Sequence, residues 1–217
     1  MDWRLLEGVP EEEVRQLLSV ARRRRFSRNE VVFHRHDPAD SLHLVTKGRF
    51  AIRVTTPLGD TVTIGLRGPG DSFGEMGVVA GGSARSATVT ALEEAETFAV
   101  YEADFERLRG RFRSINEAVI AFLADELRVL NERLVEALYV PADRRVLRRL
   151  AELAELYGGD GPEVEVPLTQ EALAELAGTS RATVNRVLRA EEARGTVGLK
   201  RGRTTVVDRE ALARRAR

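Results

Sequence analysis

Between residues 103 and 138 the chain carries a helical pattern in which Ile120, Leu123, Leu127, Leu130, Leu134 and Ala137 recur at steps of 3, 4, 3, 4 and 3. Alternating steps of this kind hold one apolar stripe in register, the seam by which two helices pack knobs into holes. Roughly two and a half heptads is short for a free coiled coil, so the stripe predicts support from a folded domain and from a second copy of itself. A parallel homodimer explains the strict pattern; a helix laid on its own domain's core is the competing reading. Either way the seam divides the 217-residue chain into two parts, each long enough to bury a core.

Ahead of the seam, residues 10–24 space apolar side chains at 14, 17, 18 and 21, which predicts a short amphipathic helix opened by Pro10 and acidic residues. From about Phe26 to Val100 the texture is different. Short apolar runs at 31–33, 42–45, 50–54, 62–64 and 87–91 are punctuated by Gly48, Gly59-Asp60 and Gly68-Pro-Gly70, which predicts an antiparallel barrel or sandwich. After the seam, Val140-Pro-Ala-Asp143 breaks the helix. A further helix over about 142–157 stops at Tyr157-Gly-Gly159-Asp-Gly-Pro162, and a short strand follows at Val164–Val166. The fold class is therefore α+β: a β domain over 1–110 with its N-terminal helix, a seam helix over 111–139 and a C-terminal domain over 140–217.

Within the β domain, Gly70–Val89 concentrates glycines at 74, 77, 81 and 82 around Glu75, Arg85 and Ser86. Glycines let backbone amides approach an anion, a guanidinium forks onto phosphate oxygens, and a carboxylate accepts from a ribose hydroxyl, so the stretch reads as a phosphate-sugar cradle. The plain alternative is a set of turns with Glu75 and Arg85 as an ion pair.

The C-terminal part has the texture of a helix-turn-helix. Thr169 caps a helix whose apolar face is Leu173, Leu176 and Ala177, Gly178 makes the turn, and Thr179-Ser180 cap a second helix that turns Val184, Val187 and Leu188 inward. Arg181, Ala182, Asn185 and Arg186 are left on the face that meets base edges in a major groove. There arginine suits guanine, while Thr169, Ser180 and Thr183 suit phosphates. Beyond them Val197–Val207 reads as a hairpin whose tip carries Lys200, Arg201 and Arg203. From residue 178 onward eleven Lys/Arg face four Asp/Glu, a surplus of seven balanced by an equal acidic surplus in the rest of a chain of formal net charge zero. That asymmetry marks this end for duplex DNA.

The order of these parts resembles the cyclic-AMP receptor protein and fumarate-nitrate regulator family of bacterial transcription factors, from about residue 10 to Val207. Phe73-Gly-Glu-Met-Gly77 with Arg85-Ser-Ala87, and Thr169 through Arg186, carry the resemblance. It implies an N-terminal β-roll, a long dimer helix and a winged helix-turn-helix. It also implies an effector, cyclic AMP or another cyclic nucleotide, held by Gly74, Glu75, Met76, Arg85, Ser86, Ala87, Leu130 and Asn131. Arg181 and Arg186 would read guanines of a palindromic operator whose half-sites lie about one helical turn apart, and RNA polymerase would be a partner.

Three departures qualify the likeness. Leu130 stands where cyclic-AMP-responsive members present a small hydroxylic residue to the adenine, and it cannot donate a hydrogen bond. Ala182 stands where many members place a glutamate that accepts from cytosine. No cysteine is present, which excludes thiolate zinc and the iron–sulfur branch, and His34, His36 and His43 read as exposed polar residues rather than haem ligands. No Gly-Lys-Ser/Thr phosphate loop, nucleophile-base pair or metal cluster points to catalysis. No run approaches the ~20 apolar residues of a membrane span, so the expectation is a cytoplasmic regulator, not an enzyme, controlled by a small effector. Its alternative is the same regulator working without effector, with a vestigial pocket.

Overall fold

The computed structural model describes every residue except Met1, Leu58, Asp60, Gly82, Ser83, Gly159 and Asp160, so the readings of Asp60, Gly159 and Asp160 as turn residues and of Gly82 as a cradle glycine lie outside the described residues. Two compact units emerge, Met1–Val129 and Leu130–Arg217.

In the first unit a turn of 3-10 helix (Arg4–Leu6) and α1 (Glu11–Val20) precede eight strands: β1 (Arg22–Phe26), β2 (Val31–Phe33), β3 (Ser41–Lys47), β4 (Phe50–Thr55), β5 (Thr61–Arg67), β6 (Ser72–Phe73) and, after the short helix α2 (Glu75–Val79), β7 (Thr88–Ala91) and β8 (Ala95–Tyr101). They form two antiparallel four-stranded sheets, ordered β1-β8-β3-β6 and β2-β7-β4-β5. This is the β-roll. Its interior holds Phe26, Val45, Phe50, Phe73 and Val89. β3 is buried along Ser41–Val45 because Leu42 and Leu44 turn the other way, into a second core with Trp3, Leu17, Phe105, Ile115 and Phe122. A strand covered on both faces reads as a continuous apolar run.

The expected helix over 10–24 ends at Val20, and Arg22–Phe26 is an edge strand instead. Its arginines carry no apolar alternation, yet they pair with β8, where Arg23 and Arg25 reach Glu96 and Arg22 lies over the Tyr101 ring. The helix expected over 103–138 is two helices, α3 (Glu102–Arg111) and α4 (Arg113–Tyr139), separated at Phe112, whose extended φ of −116° interrupts the ladder.

In the second unit α4 passes through Val140-Pro141 into α5 (Ala142–Tyr157). α5 buries Val146, Leu147, Leu150 and Leu153, against which α6 (Gln170–Ala177) and α7 (Arg181–Ala193) pack. β9 (Val164–Val166), β10 (Val197–Lys200) and β11 (Arg203–Val206) form a small sheet in the order β10-β11-β9, and α8 (Arg209–Ala216), which the sequence reading did not include, closes on α5.

Candidate functional sites

The cradle centres on Arg85, whose side chain is only 3% exposed. Nη1 donates to the carbonyls of Ser41 (2.6 Å) and Gly74 (3.2 Å), and Nη2 donates to Asp40 Oδ1 (3.0 Å) and Ser41 Oγ (3.2 Å). The guanidinium lies 4.0 Å over the Phe33 ring. The ion pair of Arg85 is thus with Asp40, not with Glu75. Backbone bonds from Arg85 N to Asp37 O and from His36 N to Arg85 O zip this segment to the turn before β3. Nε of Arg85 is buried without a partner.

Glu75 opens α2 behind Gly74, which takes a left-handed φ of +85°. Its carboxyl is buried with Oε2 unpaired, and Ser72 Oγ is likewise buried and unpaired. Burial raises the Glu75 pKa, and the charges of Arg67 and Arg85 oppose that shift in part. Buried polar atoms ordinarily have hydrogen-bond partners. An orphaned acceptor on Glu75 and an orphaned donor on Arg85 therefore match a ligand offering a hydroxyl and an anionic oxygen. Met76 and Ser86 are exposed, with Ser86 Oγ 4.0 Å from Met76 Sδ, and Ala87 is buried. Arg67 donates to Glu126 of α4 (2.6 Å), so a charge that acts on Glu75 also grips the long helix. Leu130 and Asn131 are exposed on α4 in the second unit.

His43 contradicts the expectation of an exposed residue, whereas His34 and His36 meet it. His43 is buried between the rings of Phe26, Phe33 and Phe73, stacked on Phe73 at 4.9 Å, with Nδ1 sharing a 3.0 Å hydrogen bond with Thr97 Oγ1. Burial, then the nearby charges of Arg85 and Arg24, lowers its pKa from 6.5 to about 3. The unfolded chain takes up this proton below pH 6.5 while the folded one refuses it until about pH 3. Stability therefore falls as the pH drops through that window, by up to about 1.4 kcal/mol per pH unit. Urea midpoints at pH 7, 5.5 and 4.5 are expected to decline less steeply in His43→Gln than in wild type; equal slopes would refute the assignment.

In the second unit the helix-turn-helix has the expected caps. Thr169 Oγ1 accepts from Ala172 N at 3.1 Å and Ser180 Oγ from Thr183 N at 3.2 Å, while Gly178 takes φ +57° in the turn. Val184, Val187 and Leu188 are buried, which leaves Arg181, Asn185 and Arg186 exposed along one side of α7. Asn185 Nδ2 donates to Gln170 Oε1 (3.1 Å), and Arg186 is paired with Asp143. Lys200 and Arg201 are exposed at the β10–β11 tip, and Arg203 donates to Glu165 at 3.0 Å. Arg145 fastens α5 to the turn, donating to the carbonyls of Ala177 (3.0 Å) and Gly178 (2.9 Å).

Residues 23–112 match the family model Cyclic nucleotide-binding domain, and residues 144–215 match Crp-like helix-turn-helix domain. The CRP-like cAMP-activated global transcriptional regulator of Mycobacterium tuberculosis is 31% identical across 98% of this chain and 96% of its own length. The chain belongs to the cyclic AMP receptor protein family. Another relative, the Cyclic AMP receptor protein of Thermus thermophilus, is 36% identical over 95% of this chain and 93% of its own. The crystal structure of the Thermus thermophilus Catabolite Activator Protein covers 98% of both chains at 33% identity, with a TM-score of 0.57. As a member of this family the protein is a DNA-binding transcription regulator with a cyclic nucleotide-binding domain. Among the described residues no helix is long and apolar enough to cross a membrane.

Sequence reasoning missed the partners rather than the principals. Asp40, Ser41 and Phe33 meet Arg85 only through the fold, and the Pro38–Ala84 bridge that joins their segments leaves no trace in either stretch. Asp143 follows the helix-breaking Pro141 by two residues, and nothing in that position marks it as the partner of Arg186.

Proposed function

We propose that this family member is a homodimeric regulator that binds a palindromic DNA site through α7 and the β10–β11 hairpin, and that a cyclic nucleotide controls it. The observation that carries the effector is the pair of buried, unpartnered atoms Glu75 Oε2 and Arg85 Nε, an acceptor for a ribose hydroxyl and a donor for a cyclic phosphate. Gly74, Met76, Ser86 and Ala87 complete the lining, and Arg67 carries the state of Glu75 to Glu126 on α4. Two relatives are named for cyclic AMP, which makes that nucleotide the first to test. The dimer rests on Ile120, Leu127, Leu130 and Leu134, large apolar side chains left exposed along α4. A stripe of this kind on a folded chain marks an interface. RNA polymerase belongs to the same reading as the partner through which transcription is regulated.

Calorimetric titration with cyclic AMP and cyclic GMP, alongside affinity for a duplex the protein selects from a randomised library, tests the reading. Heat of binding with at least one nucleotide, diminished in Glu75→Gln, together with altered duplex affinity, is the expected result. No heat and unchanged affinity with both would overturn the effector. That outcome would favour an effector-independent regulator, a reading supported by the four Nη hydrogen bonds that Arg85 already makes within the protein.

A further inference from the structure

Arg186 is one of the two α7 arginines, with Arg181, that the DNA reading assigns to guanines, and its guanidinium is closed by a carboxylate of the protein itself. Nη1 donates to Asp143 Oδ2 at 2.8 Å and Nη2 to Asp143 Oδ1 at 2.5 Å. This is the end-on fork, the same pair of nitrogens that meets guanine O6 and N7 or two oxygens of a phosphate. A carboxylate that merely steadied Arg186 for DNA would take Nε and one Nη from the side and leave the outer edge open. Asp143 takes the outer edge.

Both side chains are exposed, yet the backbone segments that carry them are fixed beside one another. Asp143 lies in the first turn of α5, and Arg145, two residues on, ties that turn to the carbonyls of Ala177, Gly178 and Val140. The α5 N-terminus is thereby pinned beside the start of α7. Arg186 holds the Asp143 pKa below its ordinary value through the hydrogen bond and its charge, so the carboxylate is ionised at neutral pH. Asn185 is also engaged, on Gln170, whereas Arg181 has no hydrogen bond or ion pair among the described residues. The reading face is thus partly spoken for before DNA arrives.

We propose that Asp143 is an intramolecular competitor for DNA: it occupies the guanidinium edge of Arg186 that a base or phosphate would take, and the recognition helix engages fully only as this pair opens. The proposal rests on the DNA reading above. A bound duplex must exchange one charge-assisted fork for another, and the released Asp143 then stands as an uncompensated negative charge close to the phosphates. Both effects lower affinity for every duplex that uses Arg186. The site consequently binds below the affinity its donors alone would give, and any displacement of the α5 N-terminus raises it.

The test measures, at one fixed salt concentration, dissociation constants for a library-selected duplex and a scrambled one. Wild type, Asp143→Asn, Asp143→Ser, Arg186→Ala and the Asp143→Asn/Arg186→Ala double variant are compared, with melting temperatures as a control on folding. Both Asp143 variants are expected to tighten the selected duplex about two- to fivefold, the range of an exposed ion pair, and the gain is expected to vanish in the Arg186→Ala background. Unchanged or weaker binding by both variants would overturn the competitor, weaker binding showing that Asp143 instead supports Arg186 in the complex. An equal gain with and without Arg186 would overturn it too, since that is the effect of removing any acid near DNA. If wild type enriches no duplex from the library, the DNA reading itself falls and the competitor with it, an outcome distinct from wild type binding as tightly as its Asp143 variants.

Discussion

Glutamate at both Leu127 and Leu134 is expected to leave the protein monomeric and to weaken binding of its selected duplex by about 100-fold or more, the avidity lost when two linked half-site contacts become independent. In the single chain Leu127 and Leu134 are 58% and 57% exposed, so neither substitution removes a core contact. In a parallel pair of α4 helices each leucine would face its counterpart, and burying the exposed part of one contributes about 1 to 1.5 kcal/mol, roughly half the value for a fully exposed leucine. The double variant forfeits that gain from both protomers and sets like charges opposite one another at two levels of the seam. Sedimentation velocity reads the assembly, and fluorescence anisotropy on the duplex reads the consequence. The thermal midpoint should stay close to that of dilute wild type, because the folds of the two units do not depend on these side chains. A variant that still sediments as a dimer would refute the seam as the interface.

The same helix shows what was legible in the sequence. Ile120, Leu127, Leu130 and Leu134 repeat at a helical spacing within one element, so their common face could be read directly, and all four are exposed on it. The caps of the helix-turn-helix were legible for the same reason, since Thr169, Gly178 and Ser180 act within three residues of where they stand. β1 was not. Arg22 to Arg25 form a strand because the β8 ladder and Glu96 hold them there, and hydropathy carries no record of either. The cradle lies between these cases. Glycine density drew attention to Glu75 and Arg85, but three of the four acceptors that fix Arg85, on Asp40 and Ser41 at the start of β3, stand 44 or 45 residues earlier in the chain. His43 was misread because alternation along β3 fails where both faces are covered, so a polar residue in that strand is buried with its neighbours. In each instance the missed feature depends on long-range pairing, which a local pattern does not encode.

Gly74→Ala is expected to destabilise the first unit by about 2 to 4 kcal/mol, and the penalty to depend on Arg85. Two costs combine at this position. A φ of +85° is strained for any residue with a Cβ, and a Cβ built here falls 2.7 Å from Arg85 Nη1 and 3.0 Å from the Ser41 carbonyl oxygen. The guanidinium cannot yield freely, because that same Nη1 holds Ser41 O and Gly74 O while Asp40 and the Phe33 ring confine the rest of it. Gly81 supplies the comparison, since it has a φ of +74° and, among the described residues, nothing within 4 Å of a built Cβ. Gly81→Ala should therefore show the backbone cost alone, about 1 kcal/mol. In an Arg85→Ala background the nearest clash is gone, and the Gly74→Ala penalty should shrink toward that of Gly81→Ala. Residues in direct contact couple in this way, while distant ones add. Thermal melts of the four single and double variants against wild type measure the coupling. Equal penalties at Gly74 and Gly81, or a Gly74→Ala penalty indifferent to Arg85, would mean that the closed cradle around Arg85 does not persist in solution.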